Sequence, residues 1–219
     1  MAIVKPGIVG NFNGKIGEVV LSRWKDVNVG KSTPRKSTKL ASLNQLDQRL
    51  RFGLVTKFFR GLSKVISIGF QNESTNQTKM NAAVKYHLDN AVTGMYPDYA
   101  LDYTKVIFSD PNPISNISTG ITTTVVSQAD ATFKVSWLNI DRAYGNTLPT
   151  DLAHFVFYSI TRKKYILYSG AARRSDLTYS VEFPRIFTGD TIQGYLFFVS
   201  EDGKSVSYTD NLGQNKLLP

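Results

Sequence analysis

The sequence predicts an α+β chain, with a β-hairpin and two helices in residues 1–98 and an all-β sandwich in residues 99–219. Three observations carry this. Apolar residues alternate with a period of two near residue 20 and then fall at helical spacing between Ser42 and Gly94. From there to the end the chain breaks into short runs rich in Val, Ile, Phe and Tyr, separated by turn residues. The composition, 42% hydrophobic and 20% charged, is that of a folded chain and too apolar for disorder. No apolar run approaches the roughly 18–20 residues that a membrane helix needs.

The first element is the hairpin. In EVVLSRWKDVNVGKS, Val19, Leu21 and Arg23 alternate with Val20, Ser22 and Trp24, and Val27 and Val29 continue beyond Lys25-Asp26, where the turn is expected. Pro34 ends it. Leu43, Leu46, Leu50, Leu54 and Phe58 then mark one amphipathic helix from Ser42 to Ile66, broadened by Val55, Phe59, Leu62 and Ile66. Ser42 or Asn44 suits its N-cap. Gly53 and Gly61 weaken the helix, so tertiary packing must hold it. A second helix is read in KMNAAVKYHLDNAVTG, with Gly94 suited to its C-cap.

Candidate strands follow at 101–108, 122–126, 131–138, 154–160, 164–169, 178–183, 192–200 and 205–209. Phe133, Val135 and Trp137 share one face of ATFKVSW, and EDGK at 201–204 supplies a hairpin turn. A tryptophan in an early strand and paired late strands resemble immunoglobulin or fibronectin III-like modules.

Charge is distributed unevenly. Residues 1–80 hold fourteen Lys/Arg against four acids, whereas the remaining 139 hold twelve against thirteen, so the N-terminal third carries the whole net excess of +9. Such asymmetry calls for an acidic partner. Arg23, Trp24, Lys25, Lys31, Arg35, Lys36, Lys39, Arg49, Arg51, Lys57 and Arg60 are the candidate binding residues, for a protein or a nucleic-acid surface. Trp24, beside the turn, is read either as a contact residue or as a packing residue.

Gly30-Lys31-Ser32-Thr33 has the ending of a phosphate-binding loop, but Lys25 stands where that motif requires its first glycine. Pro34 removes a backbone N–H, and TPRKSTK is no apolar helix start. The stretch reads as a strand end running into a basic tether. The chain has no cysteine and two histidines, His87 and His154, in different regions; each reads as a packed histidine. No catalytic or dinucleotide motif is present, so no catalytic residue, metal or cofactor is expected, and the chain is read as non-enzymatic. MAIVKPGIVGNFNGKIG has no continuous apolar stretch, so no signal peptide is expected, and the location is read as virion or cytoplasm.

GIVGNFNGKIGEVVLSRWKDVNV, KSTPRK, NQLDQRLRF and NAAVKYHLDNAVTG together resemble a domain-of-unknown-function family of Bacteroidota over residues 1–110. The features that carry this are Phe12-x-Gly14-Lys15-x-Gly17, Trp24-Lys25, Pro34-Arg35, Gln45-x-x-x-Arg49-x-x-Phe52 and Asn81-Ala82-Ala83. The resemblance implies a domain and no activity. The Pro-Arg and Gln-x-x-x-Arg stretches are also loosely similar to basic segments of phage and prophage structural proteins. The expectation is a structural or assembly protein of a phage or phage-like virion (capsid, collar or tail associated). Its basic N-terminal region would dock on protein subunits of a larger assembly, other copies of itself included. The alternative is a nucleic-acid-binding accessory protein of Bacteroidota.

Overall fold

The computed structural model describes residues 2–4, 13–24, 27–35, 38–71, 77–111, 123–138 and 147–219. The chain divides into two units, Met1–Ser42 and Leu43–Pro219.

In the first unit, β1 (Ala2–Val4), β2 (Gly14–Ile16), β3 (Val19–Trp24) and β4 (Val27–Ser32) form an antiparallel sheet in the order β1-β4-β3-β2. The expected hairpin is its centre: Val19 pairs with Ser32 and Trp24 with Val27. Lys25 and Asp26, the expected turn, lie outside the described residues. Valine-rich alternation suits such a pleated surface. The two residues Gly17-Glu18 join β2 to β3, and Thr33 closes the sheet's end, its N–H and hydroxyl both donating to Glu18 O at 2.8 and 3.0 Å.

The second unit opens with α1 (Leu43–Phe58), α2 (Ser63–Gly69) and α3 (Lys79–Asn90). The single helix expected over 42–66 is therefore two helices, and the expected pair of helices is three. The break falls at Gly61, whose φ of +87° lies in the left-handed region. Breaking there turns Phe59 and Leu62 inward together with Val65 and Ile66, all buried. At the end of α2, a Cβ on Gly69 would stand 1.8 Å from Phe108 O, so only glycine lets the two backbones meet. Thr78 caps α3 by accepting from Asn81 N–H at 3.2 Å. Gly94 does not cap α3; it lies in a hairpin, β5 (Val92–Met95) with β6 (Asp98–Leu101). The strand expected over 101–108 is a 3-10 turn at Tyr103–Lys105 followed by a segment tied down by other contacts.

Seven strands make the sandwich: β7 (Thr123–Gln128), β8 (Thr132–Trp137), β9 (Leu152–Ser159), β10 (Lys164–Arg173), β11 (Thr178–Glu182), β12 (Thr191–Val199) and β13 (Asp210–Lys216). A three-stranded sheet β11-β8-β7 faces a four-stranded sheet β10-β9-β12-β13, all antiparallel. The fold is α+β with an immunoglobulin/fibronectin III-like sandwich, as expected. The last strand is displaced from its expected place. Residues 205–209 make one bridge, Val199 to Val206, and β13 follows instead. DNLGQNK was illegible as a strand because an edge strand needs few apolar side chains; Leu212 alone of the seven is buried.

The central sheet is buried on both faces. Phe155 and Phe157 of β9, with Ile192, Leu196 and Phe198 of β12, meet Phe133, Val135 and Trp137 of β8. Their alternates, Val156, Tyr158, Tyr195, Phe197 and Val199, meet Phe58, Phe59, Leu62 and Ile66 of the helical layer. Each buried aromatic or large aliphatic side chain contributes about 1.5–3 kcal/mol. A domain boundary at 98/99 would cut through this shared core, so the helices belong with the sandwich and the division lies near residue 42. Val55, Phe58, Phe59, Leu62 and Ile66 of the helical stripe are spent inside the chain, whereas Leu43 and Leu50 near its start stay exposed.

Hydrogen bonds latch the layers. The Tyr165 hydroxyl donates to Phe58 O at 2.6 Å, taking up a carbonyl orphaned at the end of α1. The Tyr195 hydroxyl donates to Tyr103 O at 2.8 Å. Burial raises both phenols far above the ordinary tyrosine range. His87, fully buried in α3, donates from Nδ1 to Ala83 O at 2.7 Å and accepts at Nε2 from Ile107 N–H at 3.0 Å.

Candidate docking surface

The candidate residues fall on both units. Arg23 is on β3, Lys31 on β4, and Arg35 and Lys39 follow β4, all exposed. Lys25, Lys36 and the side chain of Trp24 lie outside the described residues. Arg49 and Lys57 are exposed on α1, and Arg60 is exposed just beyond it. Arg51 is different: half-buried, it donates from Nη2 to Leu88 O at 2.9 Å and lies 6.0 Å from the Tyr99 ring centroid. Its charge serves the packing of α1 on α3 and the hairpin.

Register gathers charges that sequence spacing keeps apart. Lys15 of β2 and Lys31 of β4 pair with Val20 of β3 from either side, so Lys15, Val20 and Lys31 form one row on one face. A concavity of about 520 Å³ at this end is lined by Lys15, Glu18, Ser32, Thr33 and Arg35, among others. Sequence reasoning passed over Lys15 and Glu18. The turn-length spacing of Gly14-Lys15-Ile16-Gly17-Glu18-Val19 was the signal that could have found them.

The stretch Gly30-Lys31-Ser32-Thr33 ends a strand, as read from the sequence. Gly30 pairs with Leu21 on one side and Ala2 on the other, and the next helix begins only at Leu43.

Among the residues of the first unit whose side chains are described, 13–23, 27–35 and 38–42, none is buried, and Ile16 and Val19 are 50% and 46% exposed. Residues 1–42 carry eight basic residues and two acidic ones, a net +6 of the chain's +9. The unit is an antiparallel sheet with apolar side chains and high positive charge.

Several buried polar groups of the second unit pair with one another. Arg174 and Asp151, both fully buried, pair at 3.1 Å, with the guanidinium 3.8 Å from the Phe198 ring centroid. Asp190 accepts from the Ser159 hydroxyl and from Arg162 Nε, each at 2.8 Å. Burial lowers His87 and His154 to about 4. Among the described residues, no group of three or more His, Cys, Asp or Glu is placed to hold a metal ion, and no helix is long and apolar enough to cross a membrane.

Fold and surface together define an α+β protein in which helices cover one face of a fibronectin III-like sandwich and a separate basic sheet precedes it. The chain belongs to the family of unknown function DUF6266, whose model matches residues 11–213. The family thus takes in the sandwich as well as the N-terminal third in which the resemblance was first read. No curated protein matches. Among solved structures, the fn3 domain of human collagen alpha-1(XX) chain is similar at 11% identity and a TM-score of 0.34, covering 50% of this chain and 94% of that one. Strand order, and not that likeness, defines the sandwich here.

Proposed function

We propose that this chain is a non-enzymatic structural protein that docks on a larger assembly through its basic N-terminal region. The observation that supports this is the sheet of residues 1–42. It carries two thirds of the net charge, and none of its residues 13–23, 27–35 and 38–42 is buried. Three or more strands become independently stable when a hydrophobic face is covered. A partner with acidic groups around an apolar patch would supply both the cover and the countercharge. A second copy would set +6 against +6 at this surface, so the partner is another protein. The phage-like virion of a Bacteroidota host, with the chain at capsid, collar or tail, is the assembly class we favour. It rests on the loose similarity of the basic segments and on analogy from a fold that hosts many functions.

The test is co-sedimentation in the source cells. Full-length chain is expected to travel with large particles, and full-length Lys15→Glu/Lys31→Glu/Arg35→Glu to remain in the slow fractions. Particles that keep the triple variant would refute docking through this sheet. Nuclease treatment separates the competing reading, a nucleic-acid-binding accessory protein. Release by nuclease, with anisotropy of labelled duplex DNA or RNA showing steeply salt-dependent binding, would establish that reading in place of the assembly one.

A further inference from the structure

The first half of α1 presents an outward face that the chain's own packing does not explain. Its inward side sends Val55 and Phe58 into the core, yet Leu50 and Phe52 are 44% and 52% exposed. Three residues after Leu50, and so on its side of the helix, sits Gly53, in the interior of a 16-residue helix. A Cβ there would meet no atom within 4 Å, and the backbone is not left-handed. Alanine would fit and would favour the helix, so neither conformation nor internal packing calls for glycine. A neighbour would: a missing side chain leaves a notch into which a second helix can pack closely. Arg49 and Lys57, four before and four after Gly53, flank that notch, and Arg60 follows just beyond the end of the helix. Among the described residues none of the three forms an ion pair with a carboxylate. The one acid of α1, Asp47, instead accepts a hydrogen bond from the Tyr99 hydroxyl.

We propose that this face docks an amphipathic helix of a partner protein, an apolar seam over Leu50 and Gly53 and acidic side chains against Arg49, Lys57 and Arg60. Charge complementarity selects the partner. A second copy of this chain is a poor donor: α2 has no acidic residue, α3 has Asp89 beside Lys79 and Lys85, and α1 would bring the same cations. The proposal shares with the assembly reading only the need for a partner protein, and it concerns residues of the second unit alone.

The probe is a fluorescein-labelled three-heptad peptide with leucine at the seam and glutamate on the flanks, titrated by anisotropy into the full chain. A scrambled peptide of the same composition is the control. Saturable binding of the patterned peptide is expected, with the scrambled peptide much weaker. Gly53→Leu and Arg49→Glu/Lys57→Glu are each expected to weaken it about tenfold or more, as loss of a central contact does. Gly53→Leu should keep or raise Tm, which separates a blocked notch from a damaged fold. Lys31→Glu/Arg35→Glu should leave peptide binding unchanged, so that failure here and failure of the N-terminal docking reading are distinct results. The proposal is overturned by absence of binding, by equal binding of the scrambled peptide, or by binding that ignores the α1 variants. It is also overturned if a duplex oligonucleotide binds in place of the peptide and is lost in Arg49→Glu/Lys57→Glu.

Discussion

Strand β9 and strand β3 are both central strands of antiparallel sheets, and both are rich in apolar residues. From Ala153 to Ser159 every residue of β9 is buried, because side chains on one face meet the second sheet and those on the other meet the helices. In β3, Val20 and Leu21 are half-buried and Val19 is mostly exposed. Two central, apolar-rich strands therefore have two outcomes, and what differs is what covers each face. One region completes its own burial within the chain. The other leaves its apolar rows and its positive charge exposed, which is why docking is proposed there.

The sharpest break of that contrast is a pair of truncations. Phe197→Ala, in the doubly covered sheet, is expected to cost about 3–5 kcal/mol. Leu21→Ala, in the basic sheet, is expected to cost about 1 kcal/mol or less. Urea denaturation of the full chain measures both, and equal costs would erase the distinction.

Asp151→Ala removes the carboxylate that pairs with the fully buried Arg174 guanidinium and should cost a similar 3–5 kcal/mol or slightly less. Adding Arg174→Met should return most of that loss, since no charge then remains buried. A double variant no better than Asp151→Ala would show that the loss lies in packing.

Acid sharpens the comparison further, because both histidines lie in the second unit. Folded His87 and His154 protonate at about 4, against 6.5 ordinarily. Between those values the unfolded chain binds more protons. Stability is then complete above about pH 6.5 and lost as pH falls toward 4, on the order of 3 kcal/mol for each imidazole. A urea midpoint for the second unit that is flat from pH 7 to 4.5 would contradict the neutral, doubly bonded His87. The smallest effect is a gain: Gly53→Ala should raise stability by about 1 kcal/mol, read as a higher Tm.

Much of this was legible in the sequence. Alternation marked β3, β4 and β8, and short runs rich in Val, Ile, Phe and Tyr between turns marked five more of the sandwich strands. β13 escaped because its polar residues are those of an edge. The helix break escaped because periodicity continues through Phe59 and Leu62, and only the left-handed backbone at Gly61 separates the two helices. That the helices belong with the sandwich escaped for a different reason. The doubly buried runs FVFYS and GYLFFV read as strands, and strands with no polar face imply a covering layer on each side. The basic candidates were read as a charge excess, but position alone told Arg51, turned inward, from Arg49, turned out. Lys15 joined Lys31 only through register across β3.

Amide hydrogen exchange on the full chain, alone in solution, tests the central claim most directly. Exposed sheets open locally at low cost, whereas core strands open only with global unfolding. The amides of β3 and β4 are expected to exchange far faster than those of β9 and β12, under conditions where the second unit remains folded. Protection of β3 and β4 equal to that of β9 and β12 would mean that the N-terminal sheet is already complete without a partner, and would contradict its assignment as the docking element.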